Sequence, residues 1–471
     1  MIFKIDIDKA LTISYCICGN DTTKEIFMSN SKFLVMGLLA LSTSSLLLTS
    51  CNKQTESGDV TIVNVWVHKN KTDDEGKVYE TLKNQFNSLD VKAKSGKSIR
   101  VTISYYGSTL STKIQSSLRN GGLPDIIAID SSDITAKASN NIIVPIDQYV
   151  SDEVKSDYVD SVIKQSTFDN KLYALSGMDA PAGLYYNKDL LSSVGYSEND
   201  YGTLDNPWSW TDVFNAMKTL KKNNKPHQIA LNLGFGDDGY MYLYSPLVYS
   251  AGGSFGTDDH VVETMLKDDK AYNGIAQLEK FFKTEEGSTT PWSYNGTNSQ
   301  AFIDEVVPFQ IYGPWDARKI EQKNSPIKNH YGIMPFPVYE DANGNKGEIV
   351  TPCGSYGFAV TKDSKHVSEA TKVVEFFTGT QASQMLFDAI GTFPTHKSLL
   401  NDNAIFNNAP MKALADYLIA NKYTRPMMRK YSRLKDAYAN ILEHVNNMES
   451  ISNYDLKKKI REEMEKVDLA R

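Results

Sequence analysis

The reactive side chains of this chain are bounded first by the chemistry they lack. Its seven histidines (His68, His227, His260, His330, His366, His396 and His444) are scattered, and none pairs with another at the i, i+4 spacing of a helical zinc site. Cys353 lies in "TPCGSYG" with no nucleophile motif around it. The acidic run "KTDDEGK" (71–77) lacks the spaced ligands of a calcium loop and reads as a solvated loop. No G-x-x-x-x-G-K-[ST] phosphate loop occurs. The chain is also rich in aromatic rings and short polar groups, among them Trp315 and Asp316 in "YGPWD", Tyr240, Tyr242 and Tyr244 in "DDGYMYLYSPL", Asp130 and Ser131 in "AIDSS", Trp66, and Tyr356. Flat rings that cover C–H faces, beside carboxylates that accept from hydroxyls, suit a polyhydroxylated ring in a preformed cleft. Asp316 can equally cap the helix that follows it.

These residues must be placed by strands and helices. "DVTIVNVWVH" is a near-continuous apolar strand through Val60, Ile62, Val63, Val65 and Val67. "YETLKNQFNSL" carries Tyr79, Leu82, Phe86 and Leu89 at helical spacing. "IRVTISYYG" is a second strand, the next helix stops at Gly121 and Gly122, and "IIAID" is a third strand. This alternation predicts an α/β fold with a parallel sheet and crossover helices. Asp130 and Ser131 then stand at the carboxyl edge of that sheet, where ligands of open α/β sheets bind, and Trp66 stands at the same edge. Further on, "DNKLYALSGMDAPAGLYYNKDLL" reads as two short strands and a helix, and "SWTDVFNAMKTLKKNN" as a helix with Thr211 as N-cap. If "YMYLYSPLVYS" starts a helix, Tyr240 and Tyr244 share a face. The tail from about Pro410 reads as almost entirely helical.

Composition sets outer limits. A net charge of −7 and a pI near 5.6 argue against nucleic acid as partner, because phosphate binding needs a basic face. After Lys32, the run "FLVMGLLALSTSSLLL" is sixteen residues long, short for a bilayer span of about 20 but suited to a signal peptide. "LTSC" (48–51) closes it and resembles the lipobox of bacterial lipoproteins. That implies a diacylglycerol on the Cys51 thiol, cleavage before it, and removal of 1–50 as leader and signal peptide. Met28 opens "MSNSKFLVMGLL", a signal of normal length, and is the expected start of translation. Residues 51–58 are a polar tether. With Cys51 lipidated only Cys353 remains, so no intrachain disulfide is expected, nor any cofactor. About 420 mature residues suggest two domains.

Stretches in a recognisable order cover nearly the whole mature chain: "LPDIIAID" (123–130), "GLYYNKDLL" (183–191), "PWSWTDVFNAMKTLKK" (207–222), "YGPWDARKI" (312–320), "YGIMPFPV" (331–338), "GSYGFAVTKDSKHVSEATKVVEFFTG" (354–379) and "GTFPTH" (391–396). In order and spacing they resemble the extracellular solute-binding protein family 1, the substrate receptors of ATP-binding cassette sugar importers. The resemblance implies a two-lobed periplasmic-binding-protein-like fold of type II, with a cleft that closes on ligand by hinge motion. It places the N-terminal lobe at 59–180 plus 335–390 and the C-terminal lobe at 183–332 plus 391–471, with hinge crossings near 179–183, 332–335 and 391–396.

It is the resemblance that singles out particular rings and polar groups of this chain and assigns them roles. Trp315 matches the family's "GPW" tryptophan, which stacks on a sugar ring. Tyr242 precedes "SAGG" (250–253) as an aromatic platform, the "AIDSS" loop meets hydroxyls, and Tyr356 lines the cleft. Cys353 replaces a glycine of the family's usual Gly-Gly. Arg429 and Tyr431 lie near another stacking position. The implied partners are a carbohydrate, the permease subunits of an importer, and the membrane through Cys51, with the chain monomeric, non-catalytic and on the extracellular face. Two other readings stay open: the same fold holding a peptide, polyol or polyamine, and a lipoprotein glycoside hydrolase with two carboxylates about 5–5.5 or 6.5–9.5 Å apart.

Overall fold

The computed structural model describes residues 59–470 except 234–235, 287, 289, 295–299, 323, 403–405 and 407–408, and at 237, 316, 318 and 409 it describes the backbone alone. The leader, Cys51 and the tether lie outside the described residues. Residues 57–471 form one compact unit of their own. The described residues of both apolar cores below lie within it.

The first sheet realises the strand–helix alternation. β1 (Val60–Val67) is followed by α1 (Asp74–Ser88), β2 (Ser98–Tyr105), α2 (Leu110–Asn120) and β3 (Ile126–Asp130). β1 pairs in parallel with β2, from Val60 opposite Ser98 to Val67 opposite Tyr105, and with β3 at Val65 and Trp66. Chain segments from farther along complete this sheet. β4 (Ala174–Leu175) forms one edge, and β5 (Met178–Asp179) leads towards β6 (Gly183–Asn187). The expected pair of strands in this stretch is therefore a string of short ones, because Gly177 and Pro181 interrupt pairing.

A second sheet takes over at β6. α3 (Trp210–Lys222) packs beside it, capped by a reciprocal Ser209–Asp212 box and not by Thr211. β7 (Ile229–Ala230), α4 (Asp237–Ser250), β8 (Phe309–Tyr312), α5 (Pro314–Ile320) and β9 (Tyr331–Met334) follow, with strand order β9-β6-β8-β7. Successive side chains of a strand point to opposite faces. Leu184, Tyr186, Phe309, Ile311 and Met334 accordingly enter one core, while Tyr185, Tyr312, Tyr331 and Ile333 enter the other.

The chain then returns. Phe336 still packs in the second core, edge-on to Trp210 at 5.4 Å. β10 (Tyr356–Val360) joins the first sheet antiparallel to β3, Tyr356 opposite Asp130. α6 (Val367–Thr378) and α7 (Thr380–Ile390) cover that sheet, and β11 (Phe393–Pro394) pairs with β5. The tail holds α8 (Ala409–Ala420), α9 (Tyr431–Asn446) and α10 (Leu456–Asp468). It is not continuously helical: Pro426 disfavours the helical conformation at Arg425, and 421–430 is a loop.

Candidate functional site

A cavity of about 590 Å³ opens at the carboxyl edge of the first sheet, between it and the helices α4 and α5 of the second. Because β10 runs antiparallel to β3, its first residue Tyr356 reaches the same edge as Asp130, the last residue of β3.

The wall on the first sheet is polar and internally paired. His68 follows β1, and its ring stacks on Tyr356 with centroids 3.6 Å apart and planes 7° from parallel. Behind the stack is Glu75, only 4% exposed, in the first turn of α1. Its carboxylate lies 3.2 Å from His68 Nε2 and 3.2 Å from Lys69 Nζ, and accepts from the Tyr79 hydroxyl at 2.7 Å. Burial pushes this carboxyl up, but His68, Lys69 and Tyr79 together outweigh it and hold it below the usual range. The run 71–77 is therefore not a solvated loop: its second half begins α1, and Asp73, Asp74 and Glu75 line the cavity.

Asp130 accepts from Ser132 N at 2.9 Å, Ser132 Oγ at 2.7 Å and Arg425 Nη2 at 2.7 Å. Burial again acts to raise its pKa, and the Arg425 charge with the Ser132 hydrogen bonds brings it below normal. Arg425 comes from the 421–430 loop, is 5% exposed, and also donates to Ser131 Oγ at 2.7 Å. The fit is close: a Cβ on Gly354, whose φ is +132°, would stand 2.5 Å from Arg425 Nη2. Under the floor, Asp179 accepts from the N–H groups of Gly354 and Ala180 at 2.5 and 2.6 Å. Burial nevertheless pushes its carboxyl up to about 6. The neighbouring Cys353 thiol, buried, contacts Asn421 Nδ2 at 3.1 Å. Burial and the Asp179 charge push it well above normal, and a thiol held protonated is no nucleophile.

The opposite wall is aromatic. Trp315 sits in the first turn of α5 behind Pro314, a favoured opening residue. Gly313 is required there, since a Cβ would fall 2.3 Å from the indole. Tyr312 meets the indole edge-on at 5.2 Å, and Tyr242 lies 6.2 Å away, tilted by 35°. The Tyr242 hydroxyl donates to the Ala180 carbonyl, and Asp238 at the cavity rim pairs with Lys435 at 3.0 Å.

The structure thus brings Trp315, Tyr242, Asp130 and Tyr356 to one cavity. Ser131 does not line it; it fixes Arg425. Trp66 is buried away from it, edge-on to Tyr106 at 5.0 Å with Lys113 over its face. Tyr240 is buried in the second core: on the helix α4 it faces the same way as Tyr244, while Tyr242 faces the cavity. The Asp316 side chain lies outside the described residues. His68, Glu75 and Arg425 are the cavity residues that sequence reasoning passed over. In the tail it noted Arg429, which is 68% exposed, and Tyr431, which is buried in the second core, instead of Arg425. The Arg-Pro pair, which breaks the helix, was the available signal. Among the described residues, no group of three or more His, Cys, Asp or Glu could hold a metal ion, and no helix is long and apolar enough to cross a membrane.

Comparison with known proteins fits this geometry. The family described as bacterial extracellular solute-binding protein matches residues 74–384. The Multiple sugar-binding protein of Streptococcus mutans is 24% identical over 414 residues, covering 83% of this chain and 88% of that protein. The Galactooligosaccharide-binding protein of Bacillus subtilis is 23% identical over 297 residues, 62% of this chain and 65% of that one. Among solved structures, the sugar-binding protein MalE of Xanthomonas citri superposes with a TM-score of 0.69 at 20% identity, over 87% of this chain and 96% of its own. The cyclic alpha-maltosyl-1,6-maltose binding protein of Arthrobacter globiformis gives 0.67 at 16%, over 86% and 98%. The chain belongs to the bacterial extracellular solute-binding proteins, the substrate-binding components of ATP-binding cassette importers, and has their two-lobed fold.

Proposed function

We propose that this chain captures a neutral oligosaccharide outside the cell, while anchored through a lipid on Cys51, and hands it to an importer permease without altering it. The observation that carries the reading is the pairing of unlike walls: Trp315 and Tyr242 on one side, hydrogen-bonding groups on the other. The two buried carboxylates of the cavity are each held by a cation, Glu75 by Lys69 and Asp130 by Arg425, while the rim carboxylates Asp74 and Asp238 pair outside it with Lys77 and Lys435. A charged ligand that reached the buried part of the cavity would have to break these two pairs, whereas hydroxyls can join them. Relatives whose names specify sugars support the same choice.

A glycosidase acid needs a raised pKa and access to the sugar; Glu75 and Asp130 line the cavity and are held low, and Asp179, pushed up to about 6, is buried beneath the floor. The finer lobe boundaries belong to the proposal too. Phe336, packed in the second core, supports a return crossing later in the chain than 332–335. Phe393 and Leu400 in the first core, with His396 against Tyr158, support grouping 391–400 with the first lobe.

Thermal unfolding of residues 57–471 against a panel of oligosaccharides tests the function. A ligand at 100 times its Kd should stabilise by about 2.7 kcal/mol. A shift with one sugar class and no change in that sugar's mass supports a receptor; turnover of the sugar contradicts it.

A further inference from the structure

The edge of the first sheet opposite the cavity carries an unlike set of groups. The described chain begins here, with Asp59 O accepting from Ser98 N at 3.0 Å. Beside it the turn before β2 carries Lys92, Lys94 and Lys97, and α1 ends at Leu89, an apolar side chain 62% exposed. Lys372 of α6 reaches the same turn, donating to Lys92 O at 2.9 Å. Because β10 is antiparallel, its exit also lies on this edge and adds exposed Lys362 and Lys365.

The acids of the edge offset only part of this charge. Asp90 is held by Lys92 at 2.7 Å and Arg100 at 3.0 Å, Asp125 is buried, and Asp363 accepts the Leu123 N–H at 3.0 Å; Glu369 of α6 and exposed Asp59 bring the acids to five, against Lys92, Lys94, Lys97, Arg100, Lys362, Lys365 and Lys372. A basic edge around an exposed leucine is unexpected on a chain of net charge −7. Its position is informative. Only seven residues separate Asp59 from Cys51, and seven extended residues reach at most about 25 Å.

We infer that the amino edge of the first sheet, centred on Leu89, Lys92, Lys94 and Lys97, rests on the anionic headgroups of the membrane that holds Cys51; this rests on the anchor reading proposed above. The cavity then opens away from the bilayer, where ligand arrives. Lysines near an anionic leaflet each strengthen binding about fivefold, and salt weakens them. Such a contact orients the receptor and still lets go when it turns to a permease.

The test needs no acyl chain. Residues 57–471 are sedimented with vesicles of pure phosphatidylcholine or with added phosphatidylglycerol. Binding about 100-fold tighter to the anionic vesicles at low salt, lost in Lys92→Glu/Lys94→Glu/Lys97→Glu and retained in Lys218→Glu/Lys221→Glu/Lys222→Glu on α3, supports the inference. Equal binding to both vesicles, or equal loss in both triple variants, overturns it. Binding to soluble polyphosphate without binding to vesicles also overturns it, in favour of a polyanion. The anchor is checked separately, by the mass of the mature N-terminus of the full chain made in a lipoprotein-processing bacterium. An unacylated Cys51 removes the anchor and with it the membrane setting of this edge, whatever the vesicles show.

Discussion

The wall built on the first sheet meets the cavity with charge pairs, Lys69 with Glu75 and Arg425 with Asp130, and with the His68 ring beside Glu75, whereas the wall built on α4 and α5 meets it with the rings of Tyr242 and Trp315. The first wall draws its stability and its shape from the same contacts. Arg425 is buried, and removing it strands Asp130. The second wall rests on backbone features, Gly313 and Pro314 for Trp315 and the helix α4 for Tyr242, so its rings can be cut without uncovering a buried charge. The polar side should therefore fail through folding and the aromatic side through binding.

Arg425→Ala is expected to show the largest effect. Breaking a buried pair by removing one partner costs about 3–5 kcal/mol, read as a fall in urea midpoint; a loss below about 1 kcal/mol would mean that the pair is not structural. Next comes Asp179, whose folded pKa, near 6, lies above its ordinary 3.8. The protonated carboxyl contributes stability that is fully present below the unfolded value and is lost as pH rises through about 6. The span is worth up to about 3 kcal/mol. Asp179→Asn keeps an acceptor for the Gly354 and Ala180 N–H groups, so its stability relative to wild type should climb between pH 4 and 7. A parallel pair of curves would remove the claim.

On the aromatic side, Trp315→Ala should weaken ligand binding by about 2 kcal/mol or more, as central aromatic anchors do. It should move the unfolding midpoint far less than Arg425→Ala. The smallest effect belongs to Tyr240→Phe, expected to leave affinity within about twofold because the ring sits in the second core and not on the cavity; Tyr242→Ala on the neighbouring face should not be so mild.

How far the sequence could be read follows the same division. Local periodicity located β1 to β3 and therefore the edge carrying Asp130, since that pattern depends only on neighbours in the chain. The motif around Trp315 is likewise local. Arg425 lies 295 residues from its partner Asp130, and no local pattern can announce such a pair. His68 and Glu75 were legible as residues but not as a site, because the stack of His68 on Tyr356 joins the ends of two strands that meet only in the folded sheet, and Glu75 reaches His68 from α1. Trp66 was misplaced for a related reason: position at a strand end does not say which face of the sheet a side chain takes.

The most direct measurement is a calorimetric titration of residues 57–471 and of its Trp315→Ala variant with neutral oligosaccharides, beside a polyamine and a short peptide. Saturable binding of an oligosaccharide, absent for the charged solutes and weakened about 30-fold or more by the substitution, is the predicted result. Tight binding of the polyamine or peptide, with the substitution without effect, would contradict a neutral sugar held against the aromatic wall.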